Sequence, residues 1–306
     1  MEIYFIGYDQ YFNQQQLIKL KKLGKVYFLD SQEKMDNAPY FKSKDEKIIA
    51  ISPSWCDYNF GRNIIDRISN LKAICLYTHS THYLDVDYCK SKGIIVTNTR
   101  NYACDAIAEY MMFLMLCVMR KLPLQIKYGK QEFSDFFMQK QLVGKTVGIV
   151  GLGNIGTKIA EICSHLGMNI IYWSYNDTNN NPAYKAVSLK ELFATSDIIF
   201  SMLAISDLAK TFITDDLLNS MKKEAIFVSG TSTDLHNHEL VLELVRKNRI
   251  YGYALEESNK TINDYMGNVM VTSEYGWYTQ EAKQYRIQLW LDCIESVIKN
   301  NPINKV

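Results

Sequence analysis

The stretch Val147-Gly148-Ile149-Val150-Gly151-Leu152-Gly153-Asn154-Ile155-Gly156-Thr157-Lys158-Ile159-Ala160 places three glycines at Gly-x-Gly-x-x-Gly spacing between a strand-like apolar run and an amphipathic helical one. A lone glycine pattern says little, but a strand before it and a helix after it give each glycine a task. Gly151 permits the tight turn, Gly153 lets a pyrophosphate approach the backbone, and Gly156 permits close packing of helix on strand. The amides of Asn154, Ile155 and Gly156 at the helix start then face the anion. The reading predicts a bound nicotinamide dinucleotide, NAD(H) or NADP(H).

The next strand, Asn169-Ile170-Ile171-Tyr172-Trp173-Ser174-Tyr175-Asn176, ends on Ser174, where a carboxylate normally selects the ribose of NAD. Without that carboxylate a 2′-phosphate is not repelled. Tyr175 and Asn176 nevertheless offer no cation to hold one, and Asp177 is close by. The choice between the two cofactors stays open. Ser174 is expected against the ribose and Tyr175 against the adenine; the plainer reading is that both simply end a strand.

Outward from the loop, strand-like and amphipathic segments alternate in both directions. Before it come Glu2–Gly7, Gln14–Leu23, Lys25–Phe28, Lys47–Ser52, Arg62–Ser69, Lys72–Tyr77, a helix over Tyr83–Lys92, a strand over Ile94–Asn98 and a long apolar helix from Cys104 to Arg120. After it come strands over Asn169–Tyr172, Ile198–Met202, Ala225–Ser229, Tyr251–Ala254 and Val269–Thr272, then a closing helix from Thr279 to Lys299. This pattern predicts an α/β fold of two doubly wound parallel-sheet domains. Leu122–Gln141, polar and aromatic without a clean period, reads as a connecting arm.

A length of 306 residues suits two domains, with 47% hydrophobic and 22% charged residues in the ordinary globular range. The net charge of +1, from 34 basic and 33 acidic residues, gives no overall field for nucleic acid or an anionic membrane. The seven cysteines, Cys56 among them, include no Cys-x-x-Cys pair and read as buried thiols of a reducing compartment. Met111–Met119 is about half of a bilayer span. No secretory signal pattern opens the chain, so the expected location is cytoplasmic. The run Asn179–Asn181 reads as a loop.

With these segments in order, the chain resembles the D-isomer-specific 2-hydroxyacid dehydrogenase family over nearly its whole length. The matching segments are Leu71–Ile74, Cys89–Asn98, Ala106–Glu109, Leu142–Gly156, Trp277–Ala282 and Asn304–Val306. The resemblance implies a Rossmann-type dinucleotide domain, 98–278, inserted into a flavodoxin-like substrate domain, 1–97, that is completed by 279–306. It also implies a homodimer formed through the arm, and a small-molecule substrate or ligand in the cleft between the domains. Gly230 and Glu256 are expected on the nicotinamide side, beside Gly151, Gly153, Asn154, Ile155, Gly156, Ser174 and Tyr175.

The family's catalytic set is an arginine that binds the substrate carboxylate, a histidine that exchanges the proton and a glutamate that keeps this histidine protonated. Their positions fall on Ser232, Glu274 and Thr261 respectively. Serine cannot grip a carboxylate bidentately. The substrate-binding glycine turn becomes Thr78-His79-Ser80-Thr81-His82-Tyr83. Two readings follow. In one, the chain is an oxidoreductase with a rebuilt site acting on a substrate other than an ordinary 2-hydroxy acid. His79 or His82 would supply the proton, Arg100 would hold an anion, and Glu274, Tyr275, Tyr102 and Tyr278 would be further polar candidates. In the other, it is a catalytically inactive dinucleotide-binding regulatory or interaction protein. His236-Asn237-His238 is too sparse for a metal site and is expected at the surface of a helix start; no metal is predicted.

Overall fold

The computed structural model describes residues 1–7, 12–31, 34–35, 37–52, 60–81, 84–129, 133–175 and 182–306. Two compact units divide the chain: Met1–Tyr102 with Thr279–Val306, and Ala103–Tyr278.

The first unit carries β1 (Glu2–Ile6), β2 (Lys25–Leu29), β3 (Lys47–Ile51), β4 (Leu71–Leu76) and β5 (Ile95–Asn98). They form one parallel sheet in the order β2-β1-β3-β4-β5, the flavodoxin-like arrangement. β1 and β3 are buried along their whole length, which explains their continuous apolar runs. Lys47 is the exception that fits: its buried Nζ donates to the carbonyls of Ser43, Asp45 and Ser69 at 2.8, 2.6 and 2.7 Å. The closing helix Gln280–Ile298 buries Ile287, Trp290, Leu291, Ile294 and Val297 in this unit, against a cluster containing Phe5, Ile48 and Ala73. The Trp290 indole donates to the Cys75 carbonyl at 2.9 Å. The tail then covers the β5 edge, with Val306 N donating to Val96 O at 3.0 Å and a bridge from Lys305 to Thr97.

The second unit carries β6 (Thr146–Val150), β7 (Asn169–Trp173), β8 (Lys185–Ala186), β9 (Ile198–Ser201), β10 (Ile226–Ser229), β11 (Gly252–Glu256) and β12 (Val269–Thr272). The parallel sheet runs β12-β11-β10-β9-β6-β7-β8. Order reverses between β6 and β9, so the carboxyl ends of these strands flank the crevice where ligands of such sheets bind. The helix Cys104–Met119 explains the most apolar run of the chain: Ala108, Met111, Leu114, Met115 and Val118 are fully buried in the core of this unit. Among the described residues no helix is long and apolar enough to cross a membrane.

Three expectations need correction. The arm is not aperiodic throughout, since Leu122–Tyr128 is helical, with Pro123 in its first turn and Gly129 left-handed at its end. The helix expected over Arg62–Ser69 is a single turn, Arg62–Ile65. Of the one expected over Tyr83–Lys92, the described residues from Leu84 onward are helical over Val86–Ser91, where Asp85 caps the start by accepting from Tyr88 N at 2.9 Å.

Candidate dinucleotide site and its carboxyl edge

The residues singled out in the second unit lie along the carboxyl edge of one sheet. In strand order they run from Glu274 beyond β12, through Glu256 at the end of β11 and Gly230 beyond β10, to Gly151 beyond β6 and Ser174 beyond β7. At about 5 Å per strand, five steps span roughly 24 Å, an edge long enough for an extended dinucleotide.

The glycine loop has the predicted division of labour. Gly151 adopts φ 100°, and a Cβ there would lie 2.9 Å from the Met202 carbonyl oxygen. A Cβ on Gly156 would fall 2.2 Å from the Gly151 carbonyl oxygen, so helix and turn touch backbone to backbone. Gly153 is different: nothing lies within 4 Å of its Cβ position, which leaves open space before the turn. Gly153 is also the N-cap of the helix Asn154–His165, and no side chain caps that end. An open cradle over a helix start without a side-chain cap suits a pyrophosphate.

At the adenosine end, Gly151 N donates to Trp173 O at 2.8 Å and ties the loop to β7. Ser174 is half-buried, while Tyr175 is exposed and stacks on Phe212 with centroids 5.2 Å apart. Phe212 escaped the sequence reading because it lies far along the chain and carries no pattern of its own.

At the opposite end, Gly276 N donates to Glu256 Oε1 at 2.8 Å. Burial pushes the Glu256 carboxyl up, opposed by the Gly276 and Tyr275 amides and reinforced by the Glu274 charge. Glu274 is exposed, and its Oε1 accepts from Ser258 Oγ at 3.4 Å. Tyr275 is also exposed. Gly230 has a packing reason to be glycine, since a Cβ would meet Met202 Sδ at 2.4 Å and Met111 Sδ at 3.0 Å. Ser232 caps a short turn by accepting from Asp234 N at 3.2 Å. Thr261 is the N-cap of Ile262–Asp264, its N and Oγ1 both donating to Asp264 Oδ2 at 2.7 and 3.0 Å.

In the first unit, His79 is exposed after β4, and its carbonyl accepts from Asn98 Nδ2 at 2.7 Å. The Arg100 guanidinium donates to Lys305 O at 3.0 Å and fastens the tail. Arg286, overlooked in the sequence, is a buried cation on the closing helix that bonds the Tyr77 carbonyl and lies over the Tyr77 and Tyr102 rings at 3.9 and 4.8 Å. Its helix showed no charge period that would have marked it. His82, Tyr83, Asn176, Asp177, Asn179–Asn181 and Cys56 lie outside the described residues.

The surface expectation for His236 is wrong. The ring is buried, and its Nε2 is 2.9 Å from the Tyr253 hydroxyl, with His238 Nδ1 3.2 Å from the same oxygen. Desolvation pulls His236 down to about 4, with the His238 charge adding to the effect. Among the described residues no group of three or more His, Cys, Asp or Glu could hold a metal.

Known proteins agree with this architecture. Residues 112–264, half of the chain, match the family model "D-isomer specific 2-hydroxyacid dehydrogenase, NAD binding domain". A Staphylococcus saprophyticus protein provisionally named a 2-hydroxyacid dehydrogenase is 27% identical over 258 residues, which is 80% of this chain and 79% of that one. Among solved structures, an acyclic imino acid reductase in complex with NADPH and D-arginine is 25% identical with a TM-score of 0.81, covering 100% of both chains. A D-2-hydroxyisocaproate dehydrogenase is 20% identical with a TM-score of 0.82, covering 100% of this chain and 99% of that one, and speaks for the fold alone. The chain belongs to the D-isomer specific 2-hydroxyacid dehydrogenase family, whose NAD-binding domain its residues 112–264 match.

Proposed function

We propose that this chain is an NAD(P)-dependent oxidoreductase whose rebuilt site acts on a small imine, an imino acid above all, in place of an ordinary 2-oxo or 2-hydroxy acid. The observation that carries the reading is the carboxylate Glu274 at the position the resemblance pairs with histidine, beside Glu256 and with no arginine at Ser232. Reduction of an oxoacid carbonyl builds negative charge on oxygen, which a cationic arginine and imidazolium stabilise. A protonated imine begins as a cation and loses its charge as hydride arrives at carbon. A carboxylate nearby favours that protonated, reducible form. At the reacting bond, a carboxylate in place of the cations therefore suits the imine over the oxoacid carbonyl, while the carboxylate of an imino acid needs a cation other than the lost arginine.

When bound, the nicotinamide dinucleotide supplies or accepts the hydride. The amides of Gly151–Gly156 would hold its pyrophosphate, Ser174 and Tyr175 its adenosine end, and Gly230 and Glu256 its nicotinamide end. Glu274 would hold the substrate N–H, which stays on nitrogen in the amine product. Local caps at Ser232 and Thr261 support the view that these two side chains serve the backbone and no longer the substrate. The likeness to an imino acid reductase supports the same substrate class.

The test compares wild type with Glu274→Gln for turnover of imines formed from glyoxylate or pyruvate with methylamine, alongside NADH and NADPH binding. Loss of turnover of roughly a hundredfold with binding retained is the expected result. Unchanged turnover would remove Glu274 from the reaction. Tight dinucleotide binding with no turnover of any imine or oxoacid would favour the regulatory reading.

A further inference from the structure

Beyond β12, at the carboxyl edge of the second unit, the chain makes the turn Tyr275-Gly276-Trp277-Tyr278, closed by Tyr278 N donating to Tyr275 O at 2.9 Å. The first and last residues of such a turn lie side by side. The Tyr275 and Tyr278 ring centroids are accordingly 6.5 Å apart, with the planes inclined at 42°. Trp277 stands edge-on to Tyr278 at 5.2 Å. All three rings face solvent, Tyr275 and Tyr278 by 59% each and Trp277 by 38%. Single apolar residues on a surface are ordinary, whereas three rings on one turn form a patch.

The same turn wraps a carboxylate. Gly276 N donates to Glu256 Oε1 at 2.8 Å, and a Cβ on Gly276 would lie 3.1 and 3.3 Å from the two Glu256 oxygens. Glu274, exposed and next to Tyr275 in the chain, adds a second carboxylate. Its described partner is the neutral Ser258 hydroxyl at 3.4 Å. From Thr261 to Ala282 the sequence contains no lysine or arginine, against Asp264, Glu274 and Glu281.

Aromatic faces beside a carboxylate discriminate among ligands. The ring quadrupole attracts a cation, and at the observed separation a cation can lie within about 5 Å of both tyrosine centroids. A bare ammonium is strongly hydrated and gives up its water reluctantly. Alkyl groups on nitrogen weaken that hydration and add apolar contact with the rings. Glu274 repels an anion.

We propose that Tyr275, Tyr278 and Glu274 form a subsite for an alkylated nitrogen cation, with its alkyl group on the two rings and its charge towards the Glu274 carboxylate. This deepens the imine reading and rests on it for the place of the ligand in the reaction: the imine nitrogen carries an alkyl substituent. Hydride adds to the imine carbon, the π pair of the C=N bond becomes the nitrogen lone pair, and the N–H and N–alkyl bonds are kept. The product is a secondary amine.

Calorimetric titration of the full chain with choline, its neutral isostere 3,3-dimethylbutan-1-ol and ammonium chloride reads the subsite apart from any turnover. Saturable binding of choline is expected, with the alcohol and ammonium each weaker by at least about fivefold. Tyr278→Leu and Glu274→Gln should each weaken choline by about fivefold, while Tyr278→Phe, which keeps the ring, should bind it as wild type does. The proposal is overturned by the absence of saturable choline binding up to about 50 mM. It is also overturned by the alcohol or ammonium binding as tightly as choline, or by unchanged affinity in Tyr278→Leu. Turnover separates the two readings. Choline binding without turnover of any imine removes the imine reading and still supports the subsite. Turnover of the pyruvate imine of ammonia as fast as that of methylamine keeps the imine reading and overturns the subsite.

Discussion

Gly156 shows how a single atom decides whether the nucleotide edge exists. A Cβ there would sit 2.2 Å from a backbone oxygen that has nowhere to move without opening the turn at Gly151. Gly156→Ala is therefore expected to weaken NADH and NADPH binding by at least about a hundredfold, read by fluorescence titration, with circular dichroism unchanged. His236 makes a different statement at the same scale. Its ordinary value of 6.5 falls to about 4 on folding, so between these values the unfolded chain binds more protons. Its contribution is complete above pH 6.5 and is lost as pH falls towards 4, by roughly 3 kcal/mol in all. Urea unfolding at a series of pH values should give a flatter slope over this window in His236→Gln than in wild type; equal slopes would contradict the assignment.

At the scale of elements, the sequence carried the strands well. β-branched runs such as Lys47–Ile51 and the full length of Gln14–Leu23 were legible because their burial pattern is written in adjacent residues. The arm was misread where Pro123 starts a helix that no hydrophobic period announces, and the short turn at Arg62 lacks a core stripe long enough to extend it. Within the site, the glycine spacing was fully legible, whereas Phe212 under Tyr175 and the Gly276 amide on Glu256 depend on contacts between separate loops. The fates of Ser232 and Thr261 depend on cap geometry that residue type alone does not declare. The closing helix supplies a stability prediction, because Trp290 is buried against Phe5, Phe12 and Tyr77. Trp290→Ala should cost about 3–5 kcal/mol in denaturant unfolding, and a cost below about 1 kcal/mol would mean that the helix is not integral to the first unit.

For the whole molecule, the arm and its neighbourhood leave Ile126, Tyr128, Phe133, Phe136 and Met138 exposed, Phe133 by 97%. We propose that a second copy of the chain, the occupant that the family resemblance implies, covers this apolar surface. Light scattering at micromolar concentration should return twice the 35.4 kDa chain mass, and Phe133→Asp with Phe136→Asp should shift it to the single mass. A monomer in wild type would leave the surface without its proposed partner.

The reaction itself is the claim on which the rest converges. The most direct measurement follows consumption of NADH and NADPH by the full chain given pyruvate or glyoxylate, with and without methylamine. Cofactor consumption that requires the amine, at least about tenfold faster with it than without, is the predicted result. Consumption as fast with the oxoacid alone would contradict the account and return the chain to ordinary oxoacid reduction.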